Sequence, residues 1–308
     1  MKHKTENHNS AAPHLALLGV QLFFGTFPVL GKYVLQTIPS FAVVAFRTGG
    51  AALAFVLLQS ISANGLRLEK KSHYALFALY SLLGVVLNQI LFINGLSRTS
   101  ATNTSLLAVL IPIFALLVSV LLSLDKLSAR KIFGVVLAAA GVIYLIDPSR
   151  ASFSSQTTRG DLMIIVNCFF YASYIAVSKN LIQKYGALKS MAWLFLFGSI
   201  ITVPLGVYSM QTVDLASVPN LTWLAIAQII VFPTILAYYL NAWALARVAP
   251  SVVAIYIYLQ PLIGFTSAVI FLDEHFSLRT VFAALLIFGG LFLVTRQPKT
   301  NPADVTYP

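Results

Sequence analysis

Long apolar stretches recur along the entire chain and leave it few ways to fold. A helix needs about 20 mostly apolar residues to cross a hydrocarbon core of ~30 Å. Stretches that meet or approach this length cover residues 14–35, 41–61, 74–96, 101–124, 132–146, 162–177, 188–210, 221–246, 252–272 and 280–295. We therefore predict an all-α integral membrane protein with ten transmembrane helices. The fifth, sixth and tenth are predicted to be short.

Charged residues are too few to cover the surface of a soluble protein. They make up 9% of the 308 residues, against about 25% in ordinary soluble domains. The net charge of +11 does not indicate nucleic-acid binding, because the basic residues are scattered through short loops. Cytoplasmic loops of membrane proteins are enriched in Lys and Arg. With both termini inside, fourteen of the 20 basic residues are cytoplasmic and five external, so we predict a multi-pass plasma-membrane protein with cytoplasmic N and C termini.

The two halves of the chain repeat each other at a constant spacing of 149 residues. From Ser97 the chain reads SRTSATNTSLLAVLIPIFALL, and from Ala246 it reads ARVAPSVVAIYIYLQPLIGFT. We predict two five-helix repeats, 14–146 and 161–295, joined by a Ser/Thr-rich linker at 147–160. Because five is odd, the second repeat crosses the membrane in the opposite direction. Inverted repeats are the architecture of alternating-access transporters, whose substrate site lies near the midplane where the repeats meet.

The order of several residues resembles the EamA-type branch of the drug/metabolite transporter superfamily. Each repeat has a mid-helix proline, then an acidic residue at the helix end, then a glycine in its last helix. These residues are Pro112, Asp125 and Gly141, then Pro261, Glu274 and Gly290, with Arg47 following Pro39 in helix two. Asp125 stands where the family often has Glu, and Leu194 occupies the second-repeat position of Arg47. The resemblance implies export of small metabolites, amino acids or drugs from the cytoplasm.

Prolines inside the spanning segments are the first pointer to a substrate site. Pro112 and Pro261 occupy matched positions in helices four and nine, and Pro28 and Pro233 are expected to interrupt helices one and eight. Interrupted helices at equivalent repeat positions often form transporter binding sites. The alternative is a simple packing kink. The matched pair favours a site between helices four and nine.

Polar residues in the apolar helices fall into stripes at helical spacing. Such residues are costly in lipid and should face the bundle interior. The predicted substrate path comprises Gln21, Pro28, Tyr80, Asn88, Asn103, Pro112, Asn167, Tyr171, Tyr174, Tyr238, Asn241, Tyr256, Gln260 and Pro261. For any one of these polar residues, the alternative is an interhelical hydrogen bond without a role in transport. Together they predict an aromatic, amide-rich and uncharged lining.

Ionisable groups are scarce in the predicted spans. Arg47 lies within helix two, either as a structural residue or as an anion-binding or gating residue. No Asp, Glu or His falls at the centre of a segment, which disfavours a simple carboxylate-driven proton antiporter. The sequence has no P-loop, no metal-ligand spacing and no nucleophile motif, so neither a cofactor nor an enzyme activity is predicted.

A secondary transporter is the function that these patterns favour. We expect a small neutral or zwitterionic substrate that is amino-acid-like, and lipophilic cationic drugs are the alternative because the tyrosines offer π-faces. An intramembrane lipid-modifying enzyme or a passive channel are alternatives from other classes. The expected partners are the substrate and the lipid bilayer, and the sequence specifies no oligomeric state.

Overall fold

Helices occupy every predicted span in the computed structural model, which describes residues 11–62, 65–123, 128–146, 155–248, 256–257, 259–273 and 277–295. Within those residues we number α1 (Ala11–Val34), α2 (Ser40–Ile61), α3 (Lys71–Leu96), α4 (Ala101–Leu121), α5 (Ala129–Ile146), α6 (Gln156–Tyr185), α7 (Ala187–Met210), α8 (Asn220–Leu245), α9 (Leu259–Leu272) and α10 (Leu278–Thr295). Seven of the described helices are long and apolar enough to cross a membrane. The predicted all-α membrane fold is confirmed.

The sixth helix departs most from its predicted bounds. It was expected to be short, at 162–177, but α6 runs from Gln156 to Tyr185. Hydropathy marks only the apolar part of a helix, whereas α6 continues through polar turns at both of its ends. Gly186, at φ 79°, then reverses the chain in one residue, in a conformation that favours glycine. Asp161, outside the predicted span, therefore lies inside a helix.

Two helices carry π-helical turns at equivalent positions of the two repeats. The turn in α3 covers Leu82–Leu87 and the turn in α8 covers Val231–Leu236. The first residues of the two turns are 149 residues apart in the chain, and so are the last residues. Pro233 lies in the second turn, in agreement with the expected interruption of helix eight. Turns of this kind are frequently found at functional sites.

The other prolines affect their helices differently. Pro28 lies inside the continuous helix α1, so the expectation that it interrupts helix one is wrong. Pro112 follows a break at Ala108–Val109, which divides α4 into Ala101–Leu107 and Leu110–Leu121. The break has a simple cause, because a proline has no N–H to donate to the carbonyl four residues earlier. Pro261 lies in the first turn of α9, which begins at Leu259, the repeat counterpart of Leu110.

The two repeats interlock instead of packing side by side. Helix α2 packs along α7, α5 packs along α10, α3 lies against α6, and α1 lies against α8 and α9. The second half of α4 packs on α6. In the α5–α10 pair, Gly290 meets the carbonyl of Gly134, and Gly141 meets that of Ala283, the repeat counterpart of Gly134. The acidic residues Asp125 and Glu274 and most of the predicted linker lie outside the described residues.

Candidate substrate site

A small cleft opens between α6, α7 and α8. Its walls are formed by Tyr171, Tyr174, Ile175, Ser178, Ile182, Met191, Tyr238, Asn241, Ala242 and Leu245. Four of these residues belong to the predicted substrate path. Ser178 extends the Tyr171–Tyr174 stripe by one turn, and Met191 had no signal in the sequence. This cleft lies between α6, α7 and α8, whereas the matched prolines lie in α4 and α9, and a site between those two helices stays a prediction.

Aromatic rings shape the cleft. The rings of Tyr171 and Tyr174 are 5.9 Å apart and tilted by 33°. The ring of Tyr174 lies directly on Gly84 in the π-helical turn of α3, where a Cβ atom would be 2.5 Å from the ring. On the opposite side, Phe195 meets Tyr238 edge-on at 5.1 Å. Tyr80 is buried against Phe77 and does not line the cleft.

A hydrogen-bonded network joins Tyr238 to the predicted amides. The Tyr238 hydroxyl donates to Asn88 Oδ1 at 3.3 Å and accepts from Gln89 Nε2 at 3.1 Å. Asn167 Nδ2 donates to the Asn88 carbonyl oxygen at 2.7 Å. Asn88, Asn167 and Tyr238 are thus brought together. Gln89 was missed, although the 149-residue spacing makes it the counterpart of Tyr238 and could have revealed it.

A second predicted group links α1 to the helix-nine region, away from the cleft. Gln260 Nε2 donates to Gln21 Oε1 at 2.7 Å. Tyr256 and His14 share a hydrogen bond of 2.9 Å between the hydroxyl and Nδ1. The polar groups of all three predicted residues, Gln21, Tyr256 and Gln260, therefore have partners within the protein.

Buried Arg47 lies close to the tyrosine network. Its side chain is 3% exposed, and its guanidinium carbon is 4.0 Å from the centre of the Phe27 ring. Nε donates to Thr234 Oγ1 at 2.9 Å, and the Thr234 hydroxyl donates to the Ile229 carbonyl in turn. In the described part of the chain the guanidinium makes no other hydrogen bond. Its terminal N–H groups are therefore available beside α8, one turn from Tyr238.

Asn103 lies outside the cleft, where the start of α4 meets α6. Its Nδ2 atom donates to both carboxylate oxygens of Asp161, at 3.2 Å each. Further along, Ser105 in α4 packs on Gly264 in α9. The first half of α4 therefore meets α9 at the end of the bundle that is predicted to face outward, whereas the cleft lies toward the predicted cytoplasmic end.

The predicted cytoplasmic end has its own polar contacts. Lys184 Nζ lies 2.6 Å from Glu69 Oε2, and this hydrogen-bonded lysine lowers the pKa of the Glu69 carboxyl. The Trp193 indole N–H donates to the Leu66 carbonyl oxygen at 2.9 Å. These contacts tie the α2–α3 connection to α6 and α7. No group of three or more His, Cys, Asp or Glu side chains able to hold a metal ion occurs among the residues that the structure describes.

Taken together, the interlocked repeats, the apolar helices and the cleft define a membrane transporter built by internal duplication. The chain belongs to the EamA-like transporter family, whose sequence pattern matches it twice, at residues 12–146 and 158–296. The double match covers both repeats and agrees with the resemblance found in the sequence.

Relatives from several kingdoms match almost the whole chain. An uncharacterized transporter of Archaeoglobus fulgidus is 27% identical over 94% of this chain and 99% of its own length. Uncharacterized transporter YetK of Bacillus subtilis is 23% identical over 94% and 89%, and Protein WALLS ARE THIN 1 of Arabidopsis thaliana is 24% identical over 91% and 82%. A crystal structure that is 17% identical superimposes with a TM-score of 0.64 over 93% of this chain and 97% of that one, which shows a shared fold. The chain is a transporter and not an enzyme.

Proposed function

We propose that this transporter exports small neutral or zwitterionic, amino-acid-like metabolites from the cytoplasm by alternating access. The chemistry of the cleft carries the proposal. Three tyrosines, Ser178 and Asn241 line it, and none of the described residues in its walls is charged. Sites for small molecules combine apolar walls with a few placed polar groups. A multiply charged ligand would lose its hydration here without finding matching charges.

Ser178 gives the cleft a buried hydroxyl group with hydrogen-bonding capacity to spare. Its oxygen lies near the Tyr174 hydroxyl, and no described residue meets it in a well-formed hydrogen bond. A buried polar group without a partner is unfavourable by roughly 1–3 kcal/mol. A substrate amino or hydroxyl group at this position would satisfy it, and the Asn241 side chain lies in the same wall.

Arg47 supplies the charge that a carboxylate requires. Its terminal N–H groups lie beside the α8 face that carries Thr234 and Tyr238. Guanidinium and carboxylate groups form paired, charge-assisted hydrogen bonds. An amino-acid-like substrate would therefore place its carboxylate toward Arg47 and its side chain against the rings of Tyr171 and Tyr174. This assigns Arg47 to substrate binding, in preference to a purely structural role.

The inverted repeats support alternating access and not a static path. Repeat-related helices can exchange conformations and open the same site to either side. The matched π-helical turns in α3 and α8 adjoin the site in both repeats. The direction of export, the plasma membrane and the cytoplasmic termini form part of the proposal, supported by the distribution of Lys and Arg.

Lipophilic cationic drugs are the second candidate class. The neighbouring rings of Tyr171 and Tyr174 favour it, because a cation binds to the face of a tyrosine. Such a compound has no carboxylate, so its transport would not depend on Arg47. The two classes are therefore separable by one substitution.

Counterflow in proteoliposomes tests the proposal. Vesicles preloaded with unlabelled amino acids should take up the labelled amino acid saturably. Arg47→Gln should weaken exchange of the amino acid roughly tenfold or more, the effect of losing a charge-assisted hydrogen bond, and should spare the corresponding decarboxylated amine. Arg98→Gln, at the end of α3, is the matched control and should behave as the unsubstituted protein. Strong inhibition by sugar phosphates, with none by amino acids or aromatic cations, would contradict the proposal.

A further inference from the structure

A buried carboxylate in the second turn of α6 has no part in the cleft. Asp161 is 2% exposed and is the one buried acid among the described residues. Its Oδ1 atom accepts a hydrogen bond of 2.5 Å from Thr99 Oγ1, and Asn103 Nδ2 donates to both of its oxygens. Ionisable residues inside membrane helices are costly and generally mark functional sites. Asp161 is not among the predicted site residues, because the predicted sixth segment begins one residue later.

Asp161 holds together the start of α4, the end of α3 and α6. Thr99 and Asn103 lie on either side of Ser100, whose hydroxyl oxygen accepts from the Asn103 backbone N–H and so begins α4. Gly160 packs against the Gly95 carbonyl and the Thr99 backbone. One turn further along, α4 reaches α9 through Ser105 and Gly264. The carboxylate therefore anchors the segment of α4 that closes against α9.

The hydrogen bonds around Asp161 favour the ionised carboxylate, whereas burial of the carboxyl group favours the protonated acid. All three hydrogen bonds come from neutral donors, and no Lys or Arg of the described chain is within ion-pair distance. Protonation would remove the negative charge that strengthens these hydrogen bonds and would turn one accepting oxygen into a hydroxyl group.

Few other titratable groups lie near this site. Arg98, at the end of α3, donates to the Asn94 carbonyl oxygen. Arg159 precedes Asp161 on α6, and the buried Cys168 thiol faces the Leu107 carbonyl. Helix α4 carries no charged side chain from Ala101 to Leu121. A change in proton occupancy at this site is therefore attributable to Asp161.

We propose that Asp161 is a proton-binding site that controls the closure of α4 against α9. When ionised, it holds the start of α4 on α6 and keeps the predicted outer end of the bundle closed. A proton from the outer solution binds one carboxylate oxygen, weakens the hydrogen bonds from Thr99 and Asn103 and lets α4 separate from α9. An acidic exterior then favours the outward-open state, from which an exported substrate leaves. The consequence for export rests on the proposed function, whereas the gating step does not.

Cysteine accessibility measures this step without any substrate. In a Cys168→Ala background, Ser105→Cys reports on the α4–α9 contact, and the exposed Ser217→Cys corrects for the intrinsic pH dependence of thiol labelling. Both are labelled with a membrane-impermeant maleimide added outside sealed vesicles. As the external pH falls from about 7.5 to about 5.5, a range in which perturbed carboxyl groups titrate, the labelling ratio of Ser105→Cys to Ser217→Cys should rise roughly tenfold.

Two substitutions identify the titrating group. Asp161→Asn should make the ratio high and independent of pH, whereas Asp214→Asn, an exposed acid at the same predicted end, should leave the response unchanged. Thr99→Val removes one donor to the ionised form and should shift the response to higher pH, which keeps the test decisive if Asp161→Asn does not fold. A ratio that ignores external pH, a pH response that survives Asp161→Asn, or an unshifted response in Thr99→Val would overturn the proposal. Loss of counterflow with intact gating would instead count against the proposed substrate function.

Discussion

Gln89 and Tyr238 occupy equivalent positions in the two repeats, and their side chains hydrogen-bond to each other at 3.1 Å. The two residues are 149 apart in the chain, which is the spacing of the repeat. A contact between equivalent positions lies where the two halves face each other. Because Tyr238 also lines the cleft, the candidate site adjoins the interface between the repeats, as expected for transporters of inverted symmetry.

This pair should be energetically coupled. We expect Gln89→Leu and Tyr238→Phe each to lower the free energy of unfolding by about 1 kcal/mol, the value of a typical hydrogen bond. The double variant should lose less free energy of unfolding than the two single variants lose together, because each single change leaves a buried partner unsatisfied. Thermal unfolding in detergent micelles provides the measurement. Strict additivity would show that the bond contributes no coupling.

Gly84 should be essential to the shape of the cleft. A methyl group at this position would overlap the Tyr174 ring, so Gly84→Ala should displace the ring, destabilise the protein by roughly 1–3 kcal/mol and reduce counterflow. Gly19→Ala is the matched control, because nothing lies within 4 Å of its added Cβ atom. Equal transport by the two variants would exclude a role for this contact.

Substitutions at Gln21 and Gln260 can show whether this pair only links two helices or also lines the transport path. Gln260→Leu leaves the buried Gln21 amide without its partner and should lower both stability and counterflow. The double variant Gln21→Leu/Gln260→Leu removes both groups and should recover stability. If the Gln260 side chain lines the path, as the sequence predicts, counterflow should remain low in the double variant. Recovery of counterflow together with stability would assign the pair a structural role.

The predicted orientation is open to direct chemical labelling. Ser155→Cys, just before α6, should react with an impermeant maleimide added outside intact cells, because that connection is predicted to be external. Ser10→Cys should react only after the cells are permeabilised. The Cys168→Ala background removes the single native thiol. The reverse labelling pattern would invert the topology and move the Asp161 site to the cytoplasmic face.

Local sequence properties were sufficient to predict the membrane spans and their repetition. Each span must satisfy its own backbone hydrogen bonds and present about 20 mostly apolar residues to the lipid. Each segment meets this requirement by itself, so it can be recognised without knowledge of its neighbours. The spacing of 149 residues is equally visible without a structure. The sequence also predicted that Tyr171, Tyr174, Tyr238 and Asn241 face inward, since polar residues in a lipid environment tend to do so, and all four line the candidate cleft.

Only the tertiary structure decided which of these inward-facing groups meet. Gln89 hydrogen-bonds to Tyr238, and Gln260 hydrogen-bonds to Gln21. Asp161 accepts hydrogen bonds from Thr99 and Asn103. It also placed the cleft between α6, α7 and α8, away from the matched prolines. The reason is geometric, because a stripe of residues defines a face of one helix but not the rotation or the neighbour of that helix. Those depend on packing between segments far apart in the chain, such as the close approach of Tyr174 to Gly84.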